Sequence, residues 1–383
     1  MRDARGPVLV IGAGPGGLAA AACVTRAGRE VILVDKADSV GSAWQGHYER
    51  LRLHTIRRHS HLPGFEFPRS YGDWVARADV VRYLTDYAAH HRLSLRPGVT
   101  VERLDRFGEG WLARSAQGDI TAREVIVATG YNHTPLLPDW PGRAEFRGEL
   151  LHSAHYRNAA PYAGRSVLVV GTGNTGAEIA VDLVEGGAAR VWLAVRTVPT
   201  FVRRGVAPGI GQSSVGILLR KLPVPFVDRF IALASRLTTP NLSAFGLPRP
   251  AADVYTRLLA DGAVPIIDVG LIDLIKARKV EIVGAVTGFE ADKVLLTGSA
   301  AIAPDAVIAA TGFEHGLREL VGHFELLDEQ GRPTVHGART HPNAPGLYFT
   351  GFTNPISGMF RELAIDARKI AAVLGQPAKR SAK

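Results

Sequence analysis

A chain of 383 residues, 46% hydrophobic and 21% charged, is globular in composition and long enough for two folded units with separate cores. Its formal net charge of +9 invites a nucleic-acid or membrane partner, but the basic residues are scattered. The densest pairs, Arg57-Arg58 and Arg203-Arg204, fall in predicted loops, so a solvated basic surface with pockets for small anions accounts for the excess. The lone Cys23 excludes an internal disulfide framework and fits a reducing cytoplasm.

The N-terminal apolar run resembles a signal peptide, but it holds a glycine pattern and is better used as a strand. Val8 to Ile11 reads as a short buried strand, followed by Gly12-Ala-Gly14-Pro-Gly-Gly17 and an alanine-rich helix that Gly28 stops. Glu30 to Val34 forms the next strand and Asp35 ends it. This is the strand–turn–helix–strand–acid order of a dinucleotide site, with the acid placed for a ribose diol. The segment from Gly41 to Pro68 has proline and aromatic density without a period and reads as irregular but packed. On local sequence Trp44 is ordinary core and His54 a satisfied loop histidine. Asp79 to His90 is an amphipathic helix with Val80, Tyr83, Leu84 and Tyr87 on one side. Val99 to Ala128 reads as an antiparallel meander ending in Ala128-Thr-Gly130.

A second unit of the same kind begins at Ser166. A strand to Val170 enters Gly171-Thr-Gly173-Asn-Thr-Gly176, then a helix to Glu185 and a strand from Arg190 to Val195. Here Arg196 replaces the terminal acid. A guanidinium at that place suits a 2′-phosphate, so this site favours NADP, and two sites of opposite ribose chemistry suggest a flavin and a nicotinamide cofactor working together. Gly216 to Leu237 is apolar but too often interrupted by charge and proline to span a membrane. Short strands from Val280 to Leu296 and Ala306 to Ala310 then lead into Thr311-Gly312, so the meander and its Ala-Thr-Gly ending recur.

The expected fold is α/β with two Rossmann-like dinucleotide-binding domains, FAD and NADPH, the second inserted in the first and each with an antiparallel meander. The expected boundaries are 1–158 for the first FAD part, 159–305 for the NADPH domain with an apolar insert at 205–250, 306–376 for the FAD return and 377–383 for a flexible basic tail. Crossings are expected near Ala159-Ala-Pro161 and Thr311-Gly312. Arg361 to Leu374 is a further amphipathic helix.

Between the units, Phe146-Arg-Gly148-Glu-Leu-Leu-His152-Ser-Ala-His-Tyr156 matches FxGxxxHxxx(Y/F), the identifying sequence of flavin-containing monooxygenases. Tyr156-Arg157 departs from the Trp-led ending of Baeyer–Villiger enzymes. Leu51-Arg-Leu-His54, Leu62-Pro63, Phe67-Pro68, Phe245-Gly-Leu-Pro-Arg-Pro250, Pro265-Ile-Ile-Asp-Val-Gly270, Gly346-Leu-Tyr348 and Gly351-Phe-Thr353 are similar to the YUCCA-type branch, plant enzymes that convert indole-3-pyruvate to indole-3-acetate. Where that branch has a basic, glycine- and leucine-rich turn, this chain has Asn354 to Phe360.

The resemblance implies that NADPH reduces FAD, that O₂ forms a C4a-hydroperoxide, and that one oxygen atom passes to a small organic substrate. A 2-oxo acid is one such substrate; N- or S-oxygenation, or an uncoupled NADPH oxidase, is the alternative. Gly12, Gly14, Gly17 and Asp35 are assigned to FAD, with Trp44 near it by family position and Gly130 and Gly351 counted beside them. Gly171, Gly173, Gly176 and Arg196 are assigned to NADPH, with Arg203 or Arg204 as a second phosphate contact. His54 falls where related monooxygenases place a polar residue beside the flavin's reactive edge, to bond the peroxide or bound NADP⁺; the competing role is structural. His152 is assigned to ordering the linker. The partners expected are the substrate and O₂, with no nucleic acid and no metal; a homodimer is left open. A disulfide reductase needs a cysteine pair that this chain lacks, and a non-enzymatic flavin sensor would show no substrate-stimulated oxygen use.

Overall fold

The computed structural model describes residues 5–207, 210–211, 226, 229, 240–248, 265–355 and 357–376. Most of the expected apolar insert at 205–250 and all of the basic tail at 377–383 lie outside them. The chain divides into two compact units. The first takes residues up to Gln45, Arg57–Thr134 and Phe313 onward; the second takes Gly46–Ile56 and Pro135–Gly312.

The first unit is built on a five-stranded sheet of parallel pairs. Its strand order in space is Leu347–Phe349, Glu124–Val127, Val8–Ile11, Val31–Val34 and Leu95–Arg96. Val8 to Val10 are fully buried, as expected for a strand covered on both faces. The helix Pro15–Arg26 follows the first strand and packs against the C-terminal helix Met359–Leu374. The second helix buries Phe360, Leu363, Ala364, Ala367, Ile370, Ala371 and Leu374, the stripe its period predicts. Strands Val101–Phe107, Gly110–Ser115 and Ile120–Ala122 form the antiparallel meander. The helix Arg77–His90 buries Val80, Tyr83, Leu84 and Tyr87, and the Tyr83 hydroxyl donates to the Phe65 carbonyl while accepting the Leu62 amide.

The second unit repeats the design. Its five-stranded sheet of parallel pairs runs, in space, Val280–Val283, Arg190–Ala194, Ser166–Val170, Ala306–Ala309 and Glu149–His152. Strands Val286–Phe289, Val294–Leu296 and Ala300–Ile302 form its meander. In each sheet the strand before the Ala-Thr-Gly turn lies beside the strand entering the glycine turn.

Ala306–Ala309 pairs with Val167–Val170 along its whole length, and the chain returns to the first unit after Gly312, beside the expected crossing at Thr311-Gly312. Glu149–His152 pairs with the same strand from the other side, which places the sequence before residue 159 in the second unit back to Pro135. Residues 46–56 also belong to the second unit, a crossing with no counterpart in the expected scheme.

Candidate cofactor sites

The two glycine turns are built alike. Gly12 has φ +106° and Gly171 φ +113°, a region glycine alone enters freely, and a Cβ on either would strike the carbonyl of the facing Ala128 or Ala310. A Cβ on Gly17 would fall on the Gly12 carbonyl oxygen, and one on Gly176 on that of Gly171. These four positions close the turn on itself. Gly14 and Gly173 differ: each caps a helix, at φ −76° and −86°, and has no atom of the described residues within 4 Å of its Cβ position. The fold leaves that space open at the positive end of a helix, which suits a pyrophosphate.

In the first unit, Asp35 follows the strand Val31–Val34. Its carboxylate accepts the Ala13 amide at 2.6 Å and the Ala37 amide at 2.8 Å, tying the acid to the glycine turn. A carboxylate offers about four acceptor sites, so two stay available to a ribose diol. The Thr129 hydroxyl, within Ala128-Thr-Gly130, is buried without a partner among the described residues, an orphan that a bound polar group would satisfy. Gly130 has φ +93° with open space at its Cβ position, and Gly351 has φ +87° beside Leu363. Trp44 stands edge-on to Phe360 at 5.8 Å, and Phe360 also meets Phe67 at 5.9 Å. In the divergent segment 354–360, Ser357 is buried and donates to Glu362 at 2.6 Å, while Arg361 pairs with the same carboxylate at 2.7 Å. Ile356 lies outside the described residues. These groups fit FAD: a cradle, an acceptor for the ribose and an unsatisfied buried hydroxyl.

In the second unit, Arg196 lies two residues past the strand Arg190–Ala194 and is exposed. The Thr172 hydroxyl donates to the Thr197 carbonyl at 3.3 Å, holding the glycine turn against the loop that carries Arg196. Asn174 accepts the Ile267 amide at 2.7 Å and anchors the strand Ile266–Asp268 to the helix start. That strand pairs with Phe201–Arg203; the Arg203 side chain lies outside the described residues. Arg204 donates to the Leu53 carbonyl at 3.0 Å, and burial lowers its pKa, with Glu178 pulling it back up. That contact makes Arg204 a fastener of residues 46–56, a use of its guanidinium the sequence did not suggest.

Residues 46–56 lie along the helix Asn174–Glu185. Thr175, Glu178, Asp182 and Glu185 recur at helical spacing, and the segment answers them. His54 Nε2 sits 2.6 Å from Glu178 Oε1. Tyr48 is held against Glu178 and Thr175, and burial first, then the Glu178 charge, push its phenol well above the usual range. Arg50 pairs with Glu185 and approaches Asp182 at 4.0 Å. Tyr156, the end of the identifying sequence, donates to Asp182 at 2.6 Å. Glu178, which motif reading missed, gathers these contacts; its one signal is an acid among buried apolar neighbours on the helix. His152 donates from Nε2 to the Gly312 carbonyl at 3.0 Å while Nδ1 accepts the Ala154 amide at 3.1 Å. It therefore pins the last residue of the second unit to a sheet strand.

Among the described residues no group of three or more His, Cys, Asp or Glu side chains is placed to hold a metal, and no helix is long and apolar enough to cross a membrane. Two parallel-sheet units, each with a glycine turn at the start of a helix, define the class of two-dinucleotide flavoprotein oxidoreductases. Residues 9–205 match the family model described as pyridine nucleotide-disulphide oxidoreductase. Indole-3-pyruvate monooxygenase YUCCA1 of Oryza sativa subsp. japonica is 36% identical over 90% of this chain and 86% of its own length. Probable indole-3-pyruvate monooxygenase YUCCA4 of Arabidopsis thaliana is 32% identical over 96% and 89%. A flavin-containing monooxygenase from Stenotrophomonas maltophilia superposes with a TM-score of 0.70 at 27% identity, covering 96% of this chain and 98% of its own. Cyclohexanone monooxygenase, at 18% identity and a TM-score of 0.75, shares the fold over 97% and 87%. The chain belongs to the pyridine nucleotide-disulphide oxidoreductase family and, within its monooxygenases, to the YUCCA type. It is a flavoprotein monooxygenase, and its single cysteine, buried Cys23, leaves it no disulfide pair to reduce.

Proposed function

We propose that this monooxygenase decarboxylates a 2-oxo acid oxidatively, with indole-3-pyruvate as its first candidate substrate. The balance is one 2-oxo acid, one O₂, one NADPH and one proton giving the acid shortened by one carbon, CO₂, water and NADP⁺. The observation that carries the reading is the pair of matched glycine turns with opposite ends, Asp35 in one unit and Arg196 in the other. The substrate rests on relatives named for it at 32–36% identity over most of the chain. FAD supplies the activation of O₂ once NADPH has reduced it.

In this reading the chain's residues bind and orient. Gly12, Gly14, Gly17 and Asp35 hold the FAD pyrophosphate and ribose, with Thr129 and Gly130 at the adjoining turn and Trp44 and Gly351 on its flank. Gly171, Gly173 and Gly176 hold the NADPH pyrophosphate, and Arg196 pairs with its 2′-phosphate. His54 donates or accepts a hydrogen bond at the reacting oxygen. A buried lone thiol and a requirement for NADPH support a cytoplasmic setting. The test is turnover: NADPH consumption stimulated by indole-3-pyruvate with matching indole-3-acetate supports the substrate, and stimulation by an amine or sulfide alone would replace it. Arg196→Ala should raise KM for NADPH at least tenfold while moving that for NADH less than twofold, since a charge-assisted phosphate contact is worth about 1.5–3 kcal/mol. Equal changes would remove Arg196 from the 2′-phosphate.

A further inference from the structure

On the helix that follows the second glycine turn, Glu178 is a buried acid flanked by buried apolar residues, only 3% exposed. Burying a carboxylate costs several kcal/mol unless it is paired and hydrogen-bonded, so packing alone does not favour it there. Its partners are specific. Tyr48 and His54 approach from residues 46–56, and Arg204, which lies within its field, bonds the Leu53 carbonyl of the same segment. With Glu178 as the acceptor, the 2.6 Å contact with His54 places a proton on Nε2. In the neutral ring Nδ1 is then the acceptor, and the described residues give it no partner.

We infer that Glu178 is the positioning residue of His54: it fixes the ring's orientation and its Nε2–H tautomer, and so makes Nδ1 the nitrogen that meets the reacting groups. The inference deepens the reading of His54 given above and rests on it. The arrangement is the histidine–carboxylate logic of hydrolase triads, in which the acid selects the tautomer without taking the proton. Tyr48 supplies a second donor and holds Glu178 in the acceptor role.

The test combines nitrogen NMR of the full-length FAD-loaded enzyme, labelled with ¹⁵N in its histidine rings, with steady-state turnover. The His54 signal is identified by its loss in His54→Asn. At a pH where the ring is neutral, His54 of the wild type should be protonated on Nε2, and Glu178→Gln should give a mixture of tautomers. His54→Asn and Glu178→Gln should each lower substrate-coupled turnover about tenfold. The double variant should be no slower than His54→Asn, with KM for NADPH within about twofold throughout.

A wild-type proton on Nδ1 overturns the inference and needs no variant at Glu178. So does an unchanged tautomer in Glu178→Gln, or losses that multiply to about a hundredfold in the double variant, which would mean independent roles. If His54→Asn leaves coupled turnover intact, the reading of His54 itself fails; a tautomer change in Glu178→Gln would then mark the contact as structural.

Discussion

Gly14 and Gly173 separate cofactor binding from folding better than the other glycines do. Both have backbone angles that alanine adopts, and a methyl on either meets no atom of the described residues within 4 Å. Gly14→Ala and Gly173→Ala should therefore leave the melting temperature unchanged or slightly raised, because alanine restricts the unfolded chain. They should nonetheless weaken FAD retention and raise KM for NADPH respectively, since the methyl enters the space a pyrophosphate would approach. Gly17→Ala and Gly176→Ala place the methyl on a backbone carbonyl and should cost about 1–3 kcal/mol or more in thermal melts. If Gly173→Ala binds NADPH as wild type does, the open space at that helix cap is not where the cofactor lies.

At the level of elements, local patterns were legible and pairings were not. The glycine turns, their helices and the strands between them follow from neighbouring residues, because turn, cap and apolar run lie within some thirty positions. Glu149–His152 carries no such signal: it is a strand because Ala306–Ala309 pairs with it, more than 150 residues away. Residues 46–56 have no period to read, and their place along the helix Asn174–Glu185 comes from side chains that answer Glu178, Asp182 and Glu185. Asp35 and Arg196 stood out as end residues, whereas Glu178 looked like one more helical acid. The C-terminal helix was plain from its stripe, and its packing on Pro15–Arg26 makes it a structural partner of the first glycine turn. Ile370 is fully buried there, so Ile370→Ala should cost about 2–5 kcal/mol in denaturant unfolding. A loss under 1 kcal/mol would mean that helix contributes little to the first unit.

For the molecule as a whole, four histidines set the response to mild acid. His59, His91, His133 and His152 have pKa values lowered, in each case chiefly by burial. The unfolded chain binds a proton at each near pH 6.5, while the folded chain resists it until a lower pH. Unfolding then takes up protons, so stability should fall as pH drops below about 6.5 and should show no contribution from these groups above it. Asp105, Glu281 and Asp328, whose pKa values are lowered in the fold, add a further loss below about pH 4. Melting temperatures across pH 4.5 to 8 check this; a flat profile between pH 5 and 6.5 would contradict it.

In the proposed reaction two cofactor sites of opposite ribose chemistry serve one oxygen transfer. Turnover of indole-3-pyruvate with NADPH under ¹⁸O₂ tests this. One NADPH should be consumed per indole-3-acetate formed, with one ¹⁸O atom in its carboxylate and little free peroxide. NADPH oxidation that ignores the 2-oxo acid and returns the oxygen as hydrogen peroxide would contradict it.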